Sequence, residues 1–153
     1  MLYLSKSKYC SLWQCPKLLW LNKFKPEEKT EDPALQARFD EGNVVGDLAM
    51  GLFGDFVEVT TMKNERLDLS AMIEKTQEEM ERGTEVICEA SFSYRNAGES
   101  NYCAVDILRK TADGWAIYEV KSTTSHVADV ATMSKELVDK VDKYAKDIAF
   151  QKW

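Results

Sequence analysis

Apolar residues in the last third of the chain recur at steps of three and four, at Val130, Met133, Leu137, Val141, Tyr144 and Ile148. That spacing predicts a long amphipathic helix with its stripe turned toward a sheet. The next residue on the stripe is polar, Gln151. Residues 34–53 repeat the pattern through Leu35, Phe39, Gly42, Val45, Ala49 and Leu52, with Gly51 and Gly54 as stops. Gly42 and Gly46 lie one turn apart and would permit a close approach. A third helix is expected with Ser70 as its cap, Leu69, Met72, Ile73, Thr76 and Met80 on one face, and Gly83 as its end. Residues 5–22 read as two helical pieces, the second opening at Pro16. Residues 25–33, with Pro26 and Pro33, read as a loop.

The remaining apolar runs have the length of strands. Residues 56–59 form a short candidate. Three more follow at about 85–92, 102–109 and 115–122, and Thr111-Ala112-Asp113-Gly114 supplies a turn that makes the last two a hairpin. Helix, strands, helix implies an α/β or α+β layered fold. A chain of 153 residues suits one domain. Residues 1–33 would be an N-terminal helical element and 34–153 the core. The long stripe ends without a cap, so a longer parent protein is expected.

Composition narrows the function. Hydrophobic residues make up 44% and charged residues 30%, as in ordinary globular proteins. No apolar run approaches the roughly 20 residues of a membrane helix, and the start lacks a secretory stretch. The expectation is a cytoplasmic protein with no membrane partner. The single histidine, His126, rules out a histidine-rich zinc site, and no serine elbow, P-loop or dinucleotide fingerprint is present. Cys10, Cys15, Cys88 and Cys103 contain no Cys-x-x-Cys pair and are expected to be reduced, with Cys88 and Cys103 buried in strands. The net charge of -6 does not advertise nucleic-acid binding, yet residues 1–25 carry Lys6, Lys8, Lys17, Lys23 and Lys25 and no acid. Tyr9, Trp13 and Trp20 could stack on single-stranded bases, but their helical spacing among leucines favours core packing.

The hairpin carries the candidate chemistry. Glu119 and Lys121 stand two residues apart on an apolar strand, so their side chains would share a face, with Cα atoms about 6.6 Å apart. Ile117 would share that face, with Tyr118 and Val120 on the other. If Asp106 pairs nearby, two carboxylates converge beside an ammonium. Their repulsion, about 4 kcal/mol at 4 Å and an effective dielectric near 20, is relieved by a divalent cation. Hard oxygen donors favour Mg²⁺ or Mn²⁺. A cation there would activate water toward a phosphodiester, with the lysine orienting it or stabilising the charge that develops on phosphate. The alternative is a plain salt bridge from Lys121 to Glu119 or Asp106. Glu89 is an accessory candidate that could flank the metal, with an exposed strand carboxylate as the alternative.

Asp106 followed by Glu119-Val120-Lys121 across a hairpin, and then a helix, resembles the core of the PD-(D/E)XK nucleases, and most closely their RecB-like branch. Leu4-Ser5-Lys6-Ser7-Lys8-Tyr9 with Gln14-Cys15-Pro16-Lys17 resembles an N-terminal Cys-Pro element of that branch. Arg38 and Gly42 resemble residues of its first core helix, and Asp147-Ile148-Ala149-Phe150-Gln151 resembles the start of a Gln-x-x-x-Tyr motif. The nearest group is the N-terminal nuclease-like half of largely uncharacterised bacterial proteins. The resemblance implies a restriction-endonuclease-like fold: a helix, a three-stranded antiparallel meander within a mixed sheet, and a helix, preceded by a helical extension. It implies hydrolysis of DNA, with single-stranded or ended DNA among the candidates. Asp106, Glu119 and the Val120 carbonyl would hold the metal, Lys121 would be catalytic, and Gln151 would position the site or the strand. Many relatives carry a histidine four residues after the helix glycine. This chain has Gly46 there, and Glu41 or Asp47 is only a weak substitute. Some relatives hold an iron–sulfur cluster with one N-terminal cysteine and three later ones; only Cys15 matches, so no cluster is expected in this chain. A catalytically weak or inactive module that binds nucleic acid or a protein partner is the alternative.

Overall fold

The computed structural model describes residues 2–30, 32–96, 98–122 and 135–152. It is a mixed α/β fold around one five-stranded sheet. The elements run β1 (Leu2–Ser5), α1 (Lys6–Gln14), α2 (Pro16–Phe24), α3 (Pro33–Met50), β2 (Val57–Glu58), β3 (Met62–Lys63), β4 (Arg66–Leu67), α4 (Leu69–Arg82), β5 (Val86–Asn96), β6 (Glu99–Thr111), β7 (Gly114–Tyr118) and α5 (Lys135–Lys152). β5, β6 and β7 form the antiparallel meander. β2 adds parallel to β5, and β1 adds parallel to β6.

Several local expectations hold. Residues 6–24 are helical in two pieces, and Pro16 opens the second, α2. Gly83 ends α4 in the left-handed region, at φ +86°, where a glycine has no Cβ to clash. The turn before β7 uses Gly114 at φ +129°. Other expectations need correction. Asp68, not Ser70, caps α4, accepting from the Ala71 N–H. β1 and the β3–β4 hairpin were not anticipated: both are short, and the hairpin turns on Asn64 and Glu65 at positive φ without the usual glycine. Strand β7 stops at Tyr118, so Glu119 and Lys121 lie beyond it rather than on it. Trp13 and Trp20 are 60% and 52% exposed rather than core residues. On α5, Val141 and Ile148 are exposed, and the buried position is Asp147; the inward face is rotated from the apolar stripe. Val130, Met133, His126 and the Leu137 side chain lie outside the described residues.

The core has two clusters, one on each face of the meander. Val59, Ile87, Ala90, Val105 and Leu108 pack with Met80 of α4, and with Trp115 and Ile117. Val86, Cys88 and Ile107 pack with Ala49 and Met50 of α3, Phe53, Tyr118 and Val120. Strict alternation would send Cys88 and Ala90 to the same face, and likewise Val105 and Ile107. Each pair is instead split between the clusters, so β5 breaks its alternation at Glu89 and β6 at Asp106. Glu89 takes φ +57°, a left-handed backbone that costs a non-glycine residue on the order of 1–3 kcal/mol. Because both strands break at one level, the register survives: Cys88 still pairs with Ile107 and Ala90 with Val105. The paired break turns two carboxylates out of the ladder together.

Candidate active site

The second edge of β6 is shared. β5 occupies one edge along nearly its whole length, so β1 and β7 must both use the other. β1 runs parallel to residues 99–102 and ends with Ser5 against Tyr102. β7 comes from the opposite direction and ends with Tyr118 against Ile107. The two strand ends therefore point at each other across a gap beside residues 103–106. The chain leaving β1 begins with Lys6, and the chain leaving β7 continues as Glu119-Val120-Lys121. This split edge brings an N-terminal lysine onto a residue of the hairpin.

The cleft at the gap has a volume of about 340 Å³ and is lined by Lys6, Asp47, Glu89, Asp106, Glu119 and Lys121 together with Val120 and the Gly42–Met50 part of α3. Asp106 accepts the Val120 N–H through Oδ2 at 2.7 Å, which stands in for a ladder bond beyond the end of β7. Lys6 Nζ donates to both oxygens of Glu119, at 3.0 and 3.1 Å. Lys121 Nζ donates to Glu119 Oε1 at 2.5 Å and pairs with Asp147 Oδ2 at 3.3 Å. Gln151 donates through Nε2 to Glu119 Oε2. Asp147 also accepts from the Cys10 thiol at 2.6 Å. The salt bridge considered from the sequence is thus present, and it sits within a larger network.

Charge in the cleft is unevenly distributed. Burial pushes the Asp106 carboxyl up, and the Glu119 charge adds to this against the Val120 N–H and the two lysines. Glu89 is raised to about 7, first by burial and then by Asp106. Glu119 is also pushed up by burial, but hydrogen bonds from Lys121 and Gln151 and the Lys6 charge outweigh it, and its carboxyl stays below the usual range. Burial opposes the Lys121 charge, yet Glu119 and then Asp147 hold its ammonium above the usual value. Burial and the Asp147 hydrogen bond raise the Cys10 thiol to about 12, which makes it unreactive as a thiolate.

The cleft gathers Asp106, Glu119, Val120, Lys121 and Glu89, and Gln151 joins it through Glu119. Glu41 is exposed and does not line it; Asp47, on the next turn of the same helix, does. Gly46 also lines the cleft, at the position where the resemblance led one to look for a histidine. Cys15 is exposed between α1 and α2, away from these residues. Sequence reasoning missed Lys6 and Asp147 as site residues. Asp147 was findable: it lies one helical turn before Gln151, so a helix that presents one presents the other. Lys6 carried no such signal, because its place depends on β1 pairing with a distant strand. No protein-family model, no curated protein and no solved structure matches this chain.

Proposed function

We propose that this cleft hydrolyses DNA phosphodiester bonds as the active site of a metal-dependent nuclease of the PD-(D/E)XK kind, in a restriction-endonuclease-like fold. The observation that carries the reading is the paired break at Glu89 and Asp106, which turns two carboxylates toward Glu119 and Lys121 in one cleft. Among the described residues no ready-made cluster of three metal ligands is present. The donor chemistry still fits a hard divalent cation, since burial and mutual repulsion raise Asp106 and Glu89, a strain that a cation relieves. Asp106, Glu119 and the Val120 carbonyl would hold Mg²⁺ or Mn²⁺, with Glu89 flanking them. When bound, the ion would supply Lewis acidity toward a phosphoryl oxygen.

The chain's own groups divide the remaining work. Lys121, held as an ammonium, cannot accept a proton and serves by stabilising charge that develops on phosphate. Glu89, flanking the site, is the carboxyl that would take a proton from an attacking water. Gln151 and Lys6 orient Glu119. A second reading, a nuclease-fold module that binds nucleic acid or a partner without cutting, draws on the same network: Lys6, Lys121 and Gln151 already satisfy both Glu119 oxygens. Incubating labelled single- and double-stranded DNA with each metal separates the two. The expected outcome is weak cleavage, better in Mn²⁺ than in Mg²⁺ and absent in Ca²⁺, because manganese tolerates irregular sites and calcium coordinates loosely. Lys121→Ala and Asp106→Ala should each abolish it, a loss of about 10²-fold or more. DNA binding without any cutting would favour the second reading, and cleavage that persists in Lys121→Ala would place the activity elsewhere.

A further inference from the structure

Helix α3 carries apolar residues on two faces. Ala49 and Met50 pack toward the sheet, beside Gly42 and Gly46 of the cleft wall. Val44 and Leu48, one turn apart, lie about half a turn round the helix from those glycines, and Leu52 continues their line into the turn that follows. All three are more than half exposed. A helix that is apolar on both sides is normally covered on both. Acids surround this outer ridge: Asp40 and Glu41 precede Val44 by a turn, Asp47 follows it, and Asp55 follows Leu52. Residues 39–57 contain no lysine or arginine, and none of these acids has an ion pair among the described residues. Helix α2 is the electrical opposite. Trp20 and Phe24, also more than half exposed, sit one turn apart with their ring centroids 5.5 Å from each other. Lys17 and Lys23 flank them, and residues 1–25 contain no acid. Neither lysine has an ion pair among the described residues.

We propose that these two patches fit each other between copies of this chain: α2 of one copy lies along the Val44–Leu48–Leu52 ridge of another, Trp20 and Phe24 cover the ridge, and Lys17 and Lys23 meet its acids. Charge selects the occupant. The acids of the ridge repel nucleic acid and anionic lipid and admit a basic apolar helix, and the chain itself presents one. Shape agrees with charge. Trp20–Phe24 and Val44–Leu48–Leu52 are both rows of residues four apart, the ridges that interdigitate in the commonest class of helix packing. Within one copy the patches stay apart, since all five side chains are exposed. Contiguous exposed apolar residues rimmed by charge mark interaction surfaces. The net charge of -6 repels a second copy at a distance, but salt confines that repulsion to about 8 Å, whereas the helix charges meet in contact. The contact does not depend on the chemistry of the cleft.

Sedimentation velocity of the whole chain reads the contact. Wild-type protein should be monomeric when dilute and should associate as its concentration rises. Leu48→Ala removes surface that the dilute monomer leaves exposed, so it should spare the fold and weaken association about tenfold. Two charge reversals sharpen the test: Lys17→Glu with Lys23→Glu on α2, and Asp40→Lys with Glu41→Lys on α3. Each variant alone sets like charges against each other and should stay monomeric. An equal mixture of the two restores opposite charges at the contact and should associate as the wild type does, which also shows that both variants are folded. Wild-type protein that stays monomeric at every concentration overturns the proposal. So does association that survives either reversal, or a mixture that stays dissociated. If the wild type remains a monomer and a labelled oligonucleotide binds it but not the Lys17→Glu, Lys23→Glu variant, α2 serves nucleic acid and the proposal falls.

Discussion

Helices α4 and α3 lie against opposite faces of the same sheet and behave as different kinds of element. α4 has 14 residues, is capped by Asp68 and stopped by Gly83, and buries Met72, Thr76 and Glu79. Its Thr76 hydroxyl donates to the Met72 carbonyl and accepts the Ser91 N–H at 2.9 Å, which ties the helix to β5. α3 is longer, at 18 residues, and buries none. Leu48 is 75% exposed and Val44 59%. Where α3 approaches the sheet beside the carboxylates, it presents Gly42, Asn43, Gly46 and Asp47. One helix is a scaffold whose apolar face closes a core. The other is a wall whose small and polar residues leave room. The difference separates the face on which this chain closes a core from the face on which it leaves an open, polar cleft.

The sharpest challenge to that contrast is a pair of truncations. Met72 is 1% exposed, so Met72→Ala should cost about 3 kcal/mol through lost burial and the cavity left behind. Leu48→Ala on α3 should stay within about 0.5 kcal/mol. Urea denaturation measures both, and similar losses would dissolve the distinction.

The next effect concerns charge stored on the cleft side. Glu89 has a folded pKa raised from 4.5 to about 7, so the folded state binds its proton more tightly than the unfolded state. Its contribution is fully present below about pH 4.5 and is lost as pH rises through 7. Stability of the metal-free protein should fall across that window, by about 1–2 kcal/mol once solvent screening is allowed for. Glu89→Gln should flatten the fall and leave the protein more stable than wild type at pH 8. An unchanged pH profile in melts with chelator present would show that Glu89 carries no such strain.

The smallest effect tests whether the wall is open. A Cβ built on Gly46 meets nothing within 4 Å. Gly46→Ala should therefore raise stability by about 0.5–1 kcal/mol, the helix-propensity difference between the two residues. A destabilised variant would mean that α3 packs closely at this point.

How far these features could be read beforehand follows the range of the interactions that set them. Pro16, Gly83 and the turn ending at Gly114 act within a few residues, and the sequence showed each of them. The β6–β7 hairpin was legible for the same reason, since a short turn fixes its pairing, whereas the pairing of β5 with β6 was implied only by the resemblance. The gathering of Asp106, Glu119, Lys121 and Gln151 was expected, but the reason offered for part of it was wrong. Glu119 and Lys121 meet beyond the end of β7, not through alternation along it. The break at Glu89 and Asp106 was illegible, because nothing in residues 86–92 announces a non-glycine at positive φ. Lys6 was hidden in the pairing of β1 with β6, a contact between distant parts of the chain. The exposed Trp13 and Trp20 also escaped, because helical spacing shows that residues share a face but not whether anything covers it.

The central claim is that the carboxylates of the split-edge cleft exist to hold a metal ion and not only to pair with lysines. Crystals grown with saturating Mn²⁺ and measured for anomalous scattering from manganese test it most directly. The account predicts a peak in the cleft bounded by Asp106, Glu119 and the Val120 carbonyl, with Glu119 released from at least one of Lys6 and Lys121. A cleft without a peak, in which Lys6 and Lys121 still hold Glu119 as they do now, would contradict it.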